Sequence, residues 1–538
     1  MTTESVESMS AGGQESDLKK YQDAKGMVLR WKKELNLVIN SKSQQAFEKI
    51  GTDIIKKYRN ASALQAYLST NVPPARVMIN VLWSNVQILK PTLYARMPKV
   101  VVERRFKDRD PVGRLACLIA ERATSYMLST QQDRFNYAVK SAVEDRLLPG
   151  RGQVWLRFEA EFEEAKDQNG EPIVDANGNP VKRPKPNSEK VVVDYVYWQD
   201  YFESNARTPL EVRWRAKRAY MTKAQLVDKF GDVGNKVKLT YDPNGKRNKV
   251  NDEEAQFLKQ AVVYEIEDKD GKQRIWISDG YEDGPLKMEG DVLRLQDFFS
   301  SPDPLLATTT TDSTYPTPDY KIYERLADEI DVVTKRISAM IDCIRFVGAT
   351  ASQFNKDIKN MLKLDDGQLW PIDNWPQFAE KGGIKGVMDW LPFDQAVSAI
   401  PSLMQYRDDL LAKLDLITGI PDIVRGATDP NETAAAQQRK SRWLTIKISE
   451  KQSEVQRFCR QIIQKMAEII FEPGLFADET IALMCGVQQM APDDQQNFPA
   501  ALQLLRDDRL RTFRVDIETD STIATDEEED KQTRMEYI

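Results

Sequence analysis

The sequence predicts an α+β protein in which long helices surround a strand-rich middle. Three observations carry that expectation. Between residues 153 and 277 short runs such as Gln153-Val154-Trp155-Leu156-Arg157-Phe158 alternate polar and apolar residues, as a half-buried strand does. Tyr323, Leu326, Ile330, Val333, Ile337, Met340 and Ile344 recur at spacings of three and four, a heptad stripe on one long helix. Residues 433 to 470 then form one further helix carrying Trp443, Ile448, Val455, Phe458, Ile462, Met466 and Ile469.

Taken in order, residues 1–17 are Ser, Glu, Gly and Thr with little to bury and read as a disordered tail. Residues 18–106 are mainly helical, with Val77, Leu82, Val86, Leu89 and Leu93 on one stripe and Pro91 expected to end or kink it. Val100-Val101-Val102-Glu103 reads as a strand, and residues 111–148 as one helix stopped by Pro149-Gly150. The strand block follows: 153–158, a polar hairpin end or loop at 168–187, then 191–196, 214–220, 262–266 and 273–277. The aromatic cluster Tyr197, Trp198, Tyr201 and Phe202 is expected in the core, because strand aromatics usually pack there. Residues 306–318 form a Thr- and Pro-rich connector ahead of the heptad helix.

Residues 347–393 break the pattern with glycines and prolines around Trp370, Trp375 and Trp390, a module too short to fold alone. A second helix with Leu403, Tyr406, Leu410, Leu414 and Ile417 ends at Gly419 and Pro421. The layout is a helical hairpin with a decorated tip, its stripe serving either an ordinary core helix or lengthwise packing against other helices. Asp429, Pro430 and Glu432 then form a capping-box start for the long helix. Leu510 to Ile523 alternates like a strand through Phe513, Val515 and Ile517.

Composition excludes several function classes. The 538 residues contain 76 Lys plus Arg against 83 Asp plus Glu, a formal charge of −7, whereas tight nucleic-acid binders are usually basic. Histidine is absent, so Ser-His-Asp triads, Cys-His dyads and HExxH zinc sites are impossible. The four cysteines, Cys117, Cys343, Cys459 and Cys485, lie far apart and read as reduced core thiols of a cytosolic protein. Gly245-Lys246 and Gly271-Lys272 lack both the following Ser or Thr and the upstream glycine of a phosphate loop. The acidic run 526–530 reads as a solvated segment rather than a metal site. No signal peptide and no apolar run of membrane-spanning length is seen. The expectation is a protein that is not an enzyme and needs no metal or other cofactor. A carboxylate-metal nuclease is the weaker alternative.

The order of parts resembles the portal protein family of tailed double-stranded DNA bacteriophages, closest to the larger portals of short-tailed phages. The most telling stretches are Ile417-Thr-Gly-Ile-Pro-Asp-Ile-Val-Arg-Gly-Ala-Thr428 and Asn431-Glu-Thr-Ala-Ala-Ala-Gln-Gln438. Pro316-Thr-Pro-Asp-Tyr320, Asn80-Val-Leu-Trp-Ser-Asn85 and Trp198-Gln-Asp-Tyr-Phe202 support them. The resemblance implies a ring, typically dodecameric, at one capsid vertex of the virion, assembled in the host cytoplasm without a membrane. Double-stranded DNA would pass through its channel. Terminase large subunit, tail adaptor proteins, and major capsid and scaffolding proteins would be its partners. Another oligomeric phage adaptor without a DNA channel is the alternative.

The same resemblance divides the chain. Residues 18–315 would be a wing, 316–346 the first stem helix, 347–393 the clip and 394–417 the second stem helix. Residues 418–431 would be a tunnel loop, 432–470 a long helix back into the wing, and 471–538 a C-terminal wing or short crown segment. The expected sites are Leu326, Ile330, Val333, Ile337 and Ile344 in stem packing, and Trp370, Trp375 and Trp390 at the clip interface. Pro421, Asp422, Arg425, Gly426 and Asp429 would line the DNA channel. A net negative chain suits a conduit, since a lumen rich in Lys and Arg would hold passing phosphates.

Overall fold

The strand alternation of the middle region is realised as antiparallel sheets, and the chain is 56% helical and 20% strand, a mixed α and β protein. The computed structural model describes residues 23–60, 80–105, 110–164, 182–243, 259–343, 348–350, 375–380, 382, 388–390, 394–420, 434–508, 513–518 and 522. In chain order the principal elements begin with α1 (Ala24–Ile39), α2 (Lys42–Tyr58), α3 (Val81–Leu93), β1 (Val100–Arg104), α4 (Pro111–Thr130) and α5 (Gln132–Leu147). The strand block is β2 (Arg151–Glu159), β3 (Lys190–Val196), β4 (Tyr201–Glu203), β5 (Trp214–Met221), α6 (Lys223–Phe230), β6 (Ala261–Asp268), β7 (Gln273–Ser278) and β8 (Lys287–Gly290). After it come β9 (Leu305–Leu306), β10 (Thr308–Thr310), β11 (Ser313–Thr317), α7 (Asp319–Cys343), β12 (Gly348–Thr350), α8 (Trp375–Glu380), β13 (Met388–Trp390) and α9 (Asp394–Thr418). The chain continues with α10 (Ala434–Phe471), α11 (Asp478–Cys485), α12 (Pro492–Asp508) and β14 (Phe513–Ile517).

Two compact units result. The larger comprises residues 1–59, 83–321 and 429–538; the smaller comprises 60–82 and 322–428, so it is inserted into the larger along the chain.

In the larger unit a five-stranded sheet runs in the order β8-β7-β6-β5-β4. Asp23 caps α1 by accepting from the Gly26 amide at 2.8 Å. Val28, Trp31, Leu35 and Val38 of α1 follow helical spacing and cover one sheet face, meeting Phe202, Trp214, Ile266 and Ile275. Trp31 and Trp214 meet edge to face at 6.0 Å. Leu226 and Phe230 of α6 cover the other face over Val263 and Trp276. Burial on both faces explains why all eight residues of β6 are buried, Glu265, Glu267 and Asp268 included. Glu267 is tolerated there because Arg274 donates to it at 2.9 Å and the Ser300 amide at 3.0 Å.

A second sheet has the order β9-β2-β3, with α5 lying against β2 and β3. The approach is close because Gly152 has no side chain: a Cβ there would lie 1.8 Å from the Ala142 carbonyl oxygen. The long helix α10 buries Val455, Phe458, Cys459, Ile462, Ile463 and Met466. It lies against β14, which pairs with β1 from the other end of the chain, Val100 opposite Ile517.

Two expectations are corrected. The single helix over 111–148 is two, broken at Gln131, whose backbone leaves helical geometry (φ −122°, ψ 27°) while its side chain donates to the Val191 carbonyl at 2.9 Å. The connector after Leu306 is a β hairpin, with Thr308 opposite Thr317. Pro91 falls in the last turn of its helix, which ends at Leu93, two residues on, in keeping with a helix-ending proline. Trp198, Tyr201 and Phe202 are core residues as expected, while Tyr197 remains 43% exposed.

The smaller unit holds most of α7, the paired strands β12 and β13 with Gly348 opposite Trp390, α8, and α9. The glycine- and tryptophan-bearing segment between the long helices therefore has a two-stranded clasp.

Candidate functional site

The heptad stripe on α7 is largely internal to a single chain. Tyr323, Ile330, Val333 and Ile337 are buried, Ile330 completely, whereas Leu326 and Met340 are half-buried. Ala327 and Thr334 are buried as well, which widens the stripe beyond a two-position seam into the apolar face of a core helix. On α9, Leu410 and Leu414 are buried. Other apolar side chains of these helices face outward: Ile322, Val332 and Ile341 on α7, and Val397, Met404 and Tyr406 on α9, each between 39% and 55% exposed.

Trp375 opens α8 and is 61% exposed. Trp390 closes β13. Trp370, Ile344 and the whole set Pro421, Asp422, Arg425, Gly426 and Asp429 lie outside the described residues, as does the capping box at 429–432.

At the root of α7, within the larger unit, the structure assembles a charged joint that sequence spacing does not reveal. Asp319 is the first residue of α7, where a negative charge complements the helix dipole. Its carboxylate accepts from Arg146 Nη1 at 2.8 Å and from Lys451 Nζ at 2.7 Å. Arg146 comes from the last turn of α5 and Lys451 from α10, so one carboxylate ties three helices. Burial opposes its charge, but the Arg146 guanidinium and Lys451 ammonium more than offset this and hold the carboxyl below the usual carboxylate range.

The joint forms the floor of a cleft of about 590 Å³, walled by Pro209, Asp303, Pro304, Leu306 to Thr309, Glu450, Glu454 and Arg457. Arg457 donates to Glu454 at 3.0 Å, to Gln461 at 2.8 Å and to the Pro304 carbonyl at 3.2 Å. Asp303 accepts from the buried Arg215 at 2.6 Å; burial raises its cost, yet Arg215 lowers its pKa overall. Beside the cleft, Arg151 is almost fully buried in an aromatic box, 4.7 Å from the Phe47 ring, 5.1 Å from Tyr201 and 5.9 Å from Tyr315, and donates to the Tyr201 carbonyl at 3.0 Å. Arg146, Lys451, Arg457, Asp303 and Asp319 are each engaged by an ion pair or hydrogen bond. Among the described residues no group of three or more Cys, Asp or Glu is placed to hold a metal ion. Cys459 and Cys485 are buried and their thiols are pushed up to about 12 by burial, so neither is a ready nucleophile.

No protein-family model and no curated protein matches this chain. Among the described residues no helix is long and apolar enough to cross a membrane.

Proposed function

We propose that this chain is a portal protein: a subunit of a ring, typically of twelve copies, at the unique vertex of a bacteriophage capsid, through which double-stranded DNA is packaged and ejected. The observation that carries the reading is the inserted unit itself. Two 25-residue helices, α7 and α9, flank a small segment clasped by β12 and β13, and all of it beyond Lys321 is inserted into a larger α+β unit. In a ring, each copy meets its neighbours through two different patches. The buried stripe of α7 is used up within the chain, which leaves the outward Val332, Ile341, Val397 and Met404 to face neighbouring copies. The joint at Asp319 would hold the first turn of the first stem helix within the wing. The clip, with Trp375 outward, would receive terminase large subunit and tail adaptors. The chain would carry no catalytic centre and no cofactor, the motor's ATPase being a separate protein.

Electron microscopy of the purified full chain tests this directly. Closed rings with a central opening are expected; monomers or closed dimers would rule the reading out.

A further inference from the structure

The loop joining β4 to β5 carries a side chain that a single copy leaves uncovered. Leu210 at its tip is 90% exposed, the most exposed large apolar side chain among the described residues. The loop beneath it is braced. The Ser204 amide donates to the Trp214 carbonyl at 3.0 Å and the Arg213 amide to the Ser204 hydroxyl at 2.8 Å, which closes its base. Val212 is buried against Phe298 and Phe299. Across the tip, Arg207 donates to Glu211 from its amide and from Nη2, each at 3.1 Å, around the short 3-10 turn Pro209–Glu211. A leucine held out on so tight a turn loses little entropy when it is covered.

Leu210 stands beside the cleft over the Asp319 joint, whose wall includes its neighbour Pro209 with Pro304 and Leu306. The floor of that cleft holds unspent charge. Arg146 and Lys451 bond the same oxygen, Oδ2 of Asp319, so two cations share one anion. Among the described residues Arg146 makes this bond through Nη1 alone, and Lys451 uses one of its three N–H groups. Two other acids of the cleft are committed, Asp303 to the buried Arg215 and Glu454 to Arg457. Among the described residues the exposed Glu450 is the one acid of the cleft outside an ion pair.

We propose that Leu210 and this cleft form one side of a contact between adjacent copies in the wing. Leu210 is the anchor, and the next copy supplies an apolar recess for it and a carboxylate for the spare donors of Arg146 and Lys451. A second copy is the occupant that fits. A ring needs on each copy a patch that meets a different patch on the next, and a braced apolar knob beside a half-neutralised pocket is such a patch. The chain has 83 acidic against 76 basic residues, so another copy offers carboxylates in excess. The inference rests on the ring reading and adds to it a contact away from the outward faces of α7 and α9.

Photo-crosslinking of the purified full chain tests it, with Leu210→p-benzoylphenylalanine and, on the cleft wall, Thr309→p-benzoylphenylalanine. Electron microscopy of the same samples reports whether rings are present. Illuminated rings should give a ladder of covalently joined chains, with position 210 attached to residues of the next copy outside 204–213. Leu210→Asp should leave circular dichroism unchanged and raise the concentration at which rings dissociate by roughly tenfold or more, with Leu210→Met close to wild type. Rings that give no crosslink from either position, or that L210D leaves as stable as wild type, would overturn this contact and leave the ring reading in place. Crosslinks joining 210 to 210 would mark a twofold contact and overturn it as well. Absence of rings would overturn both.

Discussion

Replacing Asp319 by Asn or Ala removes the one carboxylate that α5 and α10 share. Arg146 is 8% exposed, Lys451 24% and Asp319 19%, so water can only partly compensate the two cations left facing each other. Removing one partner of a buried ion pair costs about 3–5 kcal/mol. Partial exposure and the remaining Thr308 hydroxyl, 3.5 Å away, place Asp319→Ala near the lower end, about 3 kcal/mol. Asn keeps one acceptor oxygen, so Asp319→Asn should cost about 2 kcal/mol. The sign with pH follows from the lowered carboxyl. The stabilisation is complete above the unfolded carboxylate value of 3.8 and is lost as pH falls through the lower folded value. The gap between wild type and D319N should therefore close only in acid below about pH 4. Urea unfolding of the larger unit at pH 7 and pH 3 reads both quantities, with Asp319→Asn plus Lys451→Met completing a double-mutant cycle. A cost at pH 7 below about 0.5 kcal/mol, or a gap unchanged in acid, would refute the joint as an energetic anchor.

Three further outcomes are expected. Gly152→Ala drives a methyl into the Ala142 carbonyl and should cost about 3 kcal/mol or more in thermal or urea unfolding, since α5 and β2 must separate. Ile330→Asp buries an unpaired charge at a fully buried position and should unfold the smaller unit, whereas Val332→Asp, 39% exposed, should leave circular dichroism unchanged and lower the oligomer fraction in analytical ultracentrifugation. Arg425→Ala and Arg425→Glu should assemble normally but impair genome packaging or retention in a phage assay, Glu more than Ala; normal packaging by both would remove DNA contact from the reading.

What the sequence revealed and what it hid follow from the range of the forces involved. Helices and strands were legible where periodicity is local: Tyr323, Ile330 and Ile337 mark their face of α7, and Phe513, Val515 and Ile517 mark β14, all buried where alternation placed them. The pairing of β14 with β1 was not legible, because partners some 400 residues apart leave no shared local pattern. The break at Gln131 depends on a hydrogen bond to Val191 and has no Gly or Pro to announce it. The heptad reading assigned Leu326 and Met340 to the seam; Ala327 and Thr334, beside it on the same face, are buried in their place, and a run of small or polar residues gave no apolar signal for them. The Asp319 joint was hidden for the same reason as β14. Its cations, Arg146 and Lys451, are ordinary surface-type residues until the fold brings them together, and the only local sign was an acid following Pro318 at a helix start.

The measurement closest to the central claim is the rotational symmetry of the purified full-length particle, from class averages of negatively stained or frozen specimens. The account predicts closed rings of a single high symmetry, with an axial opening, that are disrupted by Val332→Asp. A population of monomers, twofold dimers or solid particles without an axial opening would contradict it.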